Sequence, residues 1–171
     1  MKYENMYLIG FRINPENEEP EAYTILLFGE TNRPILINDY IVFFSKPEFA
    51  RFAVESSEPS LMEYLSVPKD VELVVDIAQT LYLINSEDID LDSTILDFLN
   101  IFVDLIQPFD SSMPKSYKTQ LSALAAHLTF EREFASFLLQ ENIERSLITN
   151  AVLWLIGKII AKSQLLMFPE K

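Results

Sequence analysis

The chain has 171 residues, 49% of them apolar and 23% charged, with a net charge of −13, no Cys, a single His and three Gly. That inventory excludes thiolate nucleophiles, Cys-based zinc sites and disulfides, and leaves little room for Gly-rich phosphate cradles. The composition is that of a globular chain long enough for one domain with a sizeable core, so the charge reflects an imbalance of signs rather than disorder.

In chain order, Tyr7, Ile9, Phe11 and Ile13 alternate with Leu8, Gly10 and Arg12, the period-2 pattern of a strand. The acidic loop Asn14 to Pro20 leads to a second run, Ala22 to Phe28, and the pair reads as a hairpin. Gly29-Glu30-Thr31-Asn32 marks the next turn. Pro34 to Phe44 returns as extended chain, split by a bulge or tight turn at Asn38-Asp39. Three or four antiparallel strands are expected. Ser45 and Glu48 have capping-box spacing around Pro47, which predicts a helix starting there, with Phe49, Phe52 and Ala53 buried and a stop near Ser56-Ser57-Glu58-Pro59.

From Pro68 to Ile84 both periods are present, and the length of the run favours a helix over a strand. Past the acidic connector Asn85 to Asp92, Ile95, Leu99, Phe102, Val103 and Ile106 form one helix face, stopped by Pro108. Tyr117, Leu121, Leu124, Ala125 and Leu128 form another. Thr129 is the expected cap of a third helix running through Phe130, Phe134, Phe137 and Leu138. The last helix, Asn142 to Met167, is apolar nearly all round between Ala151 and Ile156, so it is either central to a bundle or half of a homodimer interface.

These elements predict an α+β fold in a single domain, 1–171: an N-terminal antiparallel sheet of three or four strands with a helix over 1–66, then a C-terminal bundle of four or five helices over 67–171. The uncharged stretch nearest to a membrane span, Ser146 to Gly157, has twelve residues, against about 20 needed to cross a bilayer. Glu4 and Asn5 interrupt the region where an export signal would be apolar, so a cytoplasmic location is expected.

The charge is unevenly placed. Residues 1–100 hold 19 of 26 carboxylates and 6 of 13 basic residues, whereas residues 101–171 are neutral with 7 of each. No Lys or Arg occurs from Asp70 through Pro114, while ten acids accumulate there. Such a field repels nucleic acid and anionic membrane and steers basic partners. The expected partner-binding residues are Asp88, Asp90, Asp92, Asp97 and Asp104.

Recognisable chemistry is sparse. Asp88-Ile89-Asp90-Leu91-Asp92 spaces its acids like the start of an EF-hand, but position 6 is Ser93 in place of Gly and position 12 is Leu99 in place of Glu. A capping connector, with Asp92 or Ser93 as N-cap, explains the same residues. His127 would need a nucleophile and an orienting carboxylate; Ser122 and Ser136 lie near in sequence, but there is no Gly-x-Ser-x-Gly elbow. Tyr40, Phe43, Phe44, Phe49 and Phe52 lack the Lys and Arg that accompany a base-stacking platform and are expected in the core. No catalytic residue, metal site or cofactor is predicted.

Three functions fit this reading. The first is a non-catalytic binding or inhibitor protein for a basic macromolecule, of the kind represented by small acidic immunity proteins that shield a cationic effector, a likeness of composition alone. The second is an accessory subunit that self-associates through its last helix. The third is a hydrolase using carboxylates and a divalent metal.

Overall fold

A computed structural model describes residues 2–168. Strand β1 (Tyr3–Arg12) pairs antiparallel with β2 (Ala22–Gly29), in one register from Asn5 opposite Phe28 to Phe11 opposite Ala22, with an irregularity between Tyr3, which faces Gly29, and Asn5. The acidic loop between them is held by Glu21, whose carboxylate accepts from the amides of Ile13 (2.6 Å) and Asn14 (2.9 Å) and from Asn17 Nδ2 (2.9 Å). At the far end of the hairpin a Cβ on Gly29 would stand 2.2 Å from the Lys2 carbonyl oxygen, so only glycine permits this approach.

The returning chain forms β3 (Arg33–Pro34), β4 (Leu36–Ile37) and β5 (Tyr40–Phe43). The expected tight turn lies between β4 and β5, where Asn38 and Asp39 both take positive φ (50° and 64°), the geometry of a two-residue hairpin. Arg33 clamps Glu58 with two 2.7 Å bonds and donates to the Tyr3 hydroxyl at 2.6 Å, fixing this sheet edge to the end of helix α1 (Ala50–Ser57).

The expected capping box does not form. A 3₁₀ turn over Pro47–Phe49 precedes α1, and neither start carries a side-chain cap, so Ser45 accepts nothing there. Helix α1 buries Ala50, Ala53 and Val54, whereas Phe52 is 56% exposed, with the Phe168 ring 5.6 Å away. Tyr40 is likewise exposed, while Phe44 is fully buried.

The segment expected as one helix from Pro68 to Ile84 divides. Val71–Asp76 is strand β6, and Ile77–Ile84 is helix α2. β6 lies parallel to β1, with Ile9 opposite Leu73 and Phe11 opposite Val75, so the four-stranded sheet β3-β2-β1-β6 is mixed rather than antiparallel. Val71, Val74 and Val75 are stiff, β-branched residues that suit a pleated surface, and the vacant side of β1 supplies the ladder that local periodicity does not reveal. Asp76 then switches strand to helix, its Oδ1 accepting from the Gln79 amide at 2.8 Å.

Helices α3 (Thr94–Ile106), α4 (Lys115–Phe130), α5 (Phe134–Glu141) and α6 (Arg145–Ala161) complete the α+β order. Thr129 caps nothing. It lies within α4, its hydroxyl donates back to the Ala125 carbonyl, and Glu133 precedes α5. The last helix stops at Ala161, short of Met167, and the chain turns into β7 (Ser163–Leu165), parallel to β5 in the three-stranded sheet β4-β5-β7.

Alternate residues of β1 serve two cores. Ile9 and Phe11, with Leu26 and Val75, face α3, α4 and α6; Leu8, with Ile25 and Leu27, faces α1. Helix α6 buries Ile148, Ala151, Val152, Leu155 and Ile159, but Leu153 and Ile160 are 49% and 69% exposed, so it is covered on most of its circumference and not all. Among the described residues no helix is long and apolar enough to cross a membrane.

Candidate functional site

Parallel strands that end side by side open a crevice beyond their carboxyl ends, where the following helices begin. Here β1 ends at Arg12 and β6 at Asp76, and the guanidinium and carboxylate pair at 2.7 Å. Beyond them lies a cleft of about 760 Å³, walled by the start of α2, the 85–93 connector and the first turn of α3. Among the described residues Asp76, Asp90, Asp92 and Asp97 line it against a single cation, Arg12.

The connector is held by basic residues from the neutral C-terminal part. Arg145 donates to the carbonyls of Ile84 and Ser86 and pairs with Glu87 at 2.6 Å. Arg132 donates to the Leu91 carbonyl at 3.3 Å, while its own carbonyl accepts from the Asp90 amide at 3.2 Å. A loop fixed at several points presents its remaining side chains in defined positions.

The five expected binding residues separate by role. Asp90 is buried, and its two oxygens accept from the amides of Thr94 and Ile95, each at 2.7 Å. Its side chain caps α3, the role expected of Asp92 or Ser93, and both of its oxygens are engaged by these amides. Ser93 holds the N-cap position, but with a left-handed backbone (φ 57°) and no side-chain cap bond. Asp88 accepts from the Tyr82 hydroxyl at 2.5 Å, which holds the Tyr82 phenol above its ordinary pKa.

Asp92 and Asp97 remain. Among the described residues neither carboxylate has a hydrogen-bond or ion-pair partner, and both line the cleft. Burial raises the Asp97 pKa, and the Asp90 carboxylate adds to the rise; the favourable field of the α3 N-terminus is outweighed. Asp104 lies further along α3, outside the cleft, where it accepts from Asn32 Nδ2 at 3.2 Å; burial raises its pKa, and that bond offsets part of the rise.

Residue-type reasoning missed the apolar part of the site. Val74, Tyr82, Ile89 and Leu91 line the same cleft and are 40%, 54%, 49% and 68% exposed. The signal for Ile89 and Leu91 is present in the alternation Asp88-Ile89-Asp90-Leu91-Asp92: two large apolar residues sit in a connector with no periodic element to bury them.

Two other chemistries can be judged from geometry. His127 Nε2 and Ser136 Oγ are 2.8 Å apart, but Glu131 approaches that same ring nitrogen, at 3.7 Å, rather than the opposite one. A general base oriented by a carboxylate needs the two contacts on different nitrogens. Ser136 also reaches the Glu133 carbonyl at 2.8 Å and Glu131 at 3.1 Å, so the cluster ties the end of α4 to the start of α5. Among the described residues no three His, Asp or Glu side chains converge where they could hold a metal ion. No protein-family model, curated protein or solved structure matches the chain.

Proposed function

We propose that this chain is a non-catalytic binding protein of the inhibitor type, and that a basic macromolecule docks on the cleft between α2, the 85–93 connector and α3. The observation that carries this reading is the combination in one cleft of two carboxylates without partners among the described residues, Asp92 and Asp97, and four exposed apolar side chains, Val74, Tyr82, Ile89 and Leu91. A surface that served solubility alone would spread its charge and keep large apolar groups apart. Interfaces need both kinds of group: charges guide approach, and desolvated apolar contacts hold the complex once formed.

Affinity capture from the native host should return a net-positive protein. Its association rate should fall steeply with added salt, because screening shortens to about 8 Å at physiological ionic strength. Asp92→Asn combined with Asp97→Asn should slow association by several-fold while leaving most of the dissociation rate unchanged. An association rate indifferent to both salt and this double substitution would sink the reading.

A second reading, self-association through α6, draws on exposed Leu153 and Ile160 flanking Gly157 on one side of that helix. A chain carrying −13 opposes its own copy at low salt. Light scattering separates the two: a monomer until a basic protein is added supports the first, and a concentration-dependent dimer of the protein alone supports the second.

A further inference from the structure

The cleft adjoins a strand with one side open. In the sheet order β3-β2-β1-β6, the edge at β3 is two residues long and contains Pro34, which has no amide hydrogen to offer. β6 is the opposite edge, six residues long, with neither Pro nor Lys. Natural sheets shield such edges with short strands, proline, lysine or a covering element. Among the described residues nothing outside β1 hydrogen-bonds to the backbone of Val71–Val75, so the outward amides and carbonyls of this stretch are free. The one irregularity in its pairing with β1 lies at the start, between the Leu8 and Ile9 positions, and leaves Leu73–Asp76 as a regular run.

We infer that β6 takes up an extended, basic segment of the partner as a fifth strand of this sheet, an inference that rests on the reading of the cleft given above. The strand and the cleft are continuous, since Val74 and Asp76 belong to both. The charge identifies the occupant. Glu72 is exposed on the strand, Asp92 and Asp97 stand beyond its carboxyl end, and among the described residues the cation that lines the cleft, Arg12, is paired with Asp76. A second copy of the chain would bring the same acidic edge against itself. A segment alternating Lys or Arg with β-branched residues satisfies both demands, because successive side chains of a strand point to opposite sides: main-chain bonds to β6 supply affinity, and the cations meet the carboxylates.

The test uses two blocked peptides of about six residues, one alternating Lys with Val and the other Lys with Gly, equal in charge and different in strand propensity. The Lys–Val peptide should bind about tenfold more tightly at low salt and should slow hydrogen exchange at alternate amides within Val71–Asp76. Val74→Lys, checked for an unchanged thermal midpoint, should abolish that advantage by placing a like charge on the edge. Equal binding of both peptides without slowed exchange in β6 overturns strand addition and leaves the acidic cleft standing. Binding of neither overturns both readings. Slowed exchange of the same amides in the protein alone, growing with its concentration, would give the edge to a second copy and overturn the inference.

Discussion

Asp90 receives two backbone amides and is buried, whereas Asp97 receives none and is partly exposed at the cleft, so the two acids of this site affect stability in opposite directions. Asp90→Asn leaves one of the two amides facing a donor and should cost about 1–2 kcal/mol. For Asp97 the folded pKa is raised above the ordinary aspartate value of about 3.9, so the folded state holds its proton to a higher pH than the unfolded state does. Stability therefore falls as pH rises from the ordinary value through the raised one, and stays lower above it. Asp97→Asn should raise the denaturation midpoint at neutral pH, and the gain should vanish in acid once the wild-type carboxyl is protonated. A midpoint lowered at neutral pH would mean that Asp97 has a stabilising partner. The cost of keeping this charge ionised is intelligible where a cation is to be met. Sequence located these acids in one connector and one helix start, but which acid would cap depended on the left-handed backbone at Ser93, a feature that residue type at that position does not announce.

Elements were legible where one period dominated, as in α3, α4 and the β1–β2 hairpin. They were not where tertiary pairing decided the outcome. Val71–Asp76 satisfies helical and strand spacing alike, and becomes a strand because β1 has a vacant side; Ser163–Leu165 leaves the helical pattern to pair with β5. Capping was the other source of error, since Ser45 and Thr129 have the right residue types at positions where the backbone turns otherwise. Gly157 is a further case. It sits in an apolar stretch of α6, yet a Cβ there would meet nothing within 4 Å. Within the chain the glycine only loosens α6. Gly157→Ala should therefore stabilise the protein by about 1 kcal/mol, read as a raised thermal midpoint. A loss of stability, or the appearance or loss of a dimer, would show that a second chain occupies the space.

At the scale of the whole molecule, the halves that differ most in charge are bound together by shared contacts. The acidic connector is pinned by Arg132 and Arg145 of the neutral part, β7 carries the chain from α6 back to a sheet, and one core takes residues from β1, β2, β5 and the long helices. Phe11 stands at that junction: 2% exposed on β1, it meets the Phe43 ring edge-on at 5.5 Å and the Phe102 ring of α3 at 6.2 Å. If sheet and helices unfold as one unit, a cavity at Phe11 must weaken both. Phe11→Ala should cost about 3–5 kcal/mol and should shift by the same amount the midpoint seen in far-UV circular dichroism and that seen in fluorescence of Trp154, which lies on α6 beside Tyr117. Coincident transitions are the mark of a single cooperative domain. A Trp154 transition that keeps its wild-type midpoint while the dichroism signal splits would instead divide the chain into a sheet unit and a helical unit, and the cleft would then lie on a seam able to open.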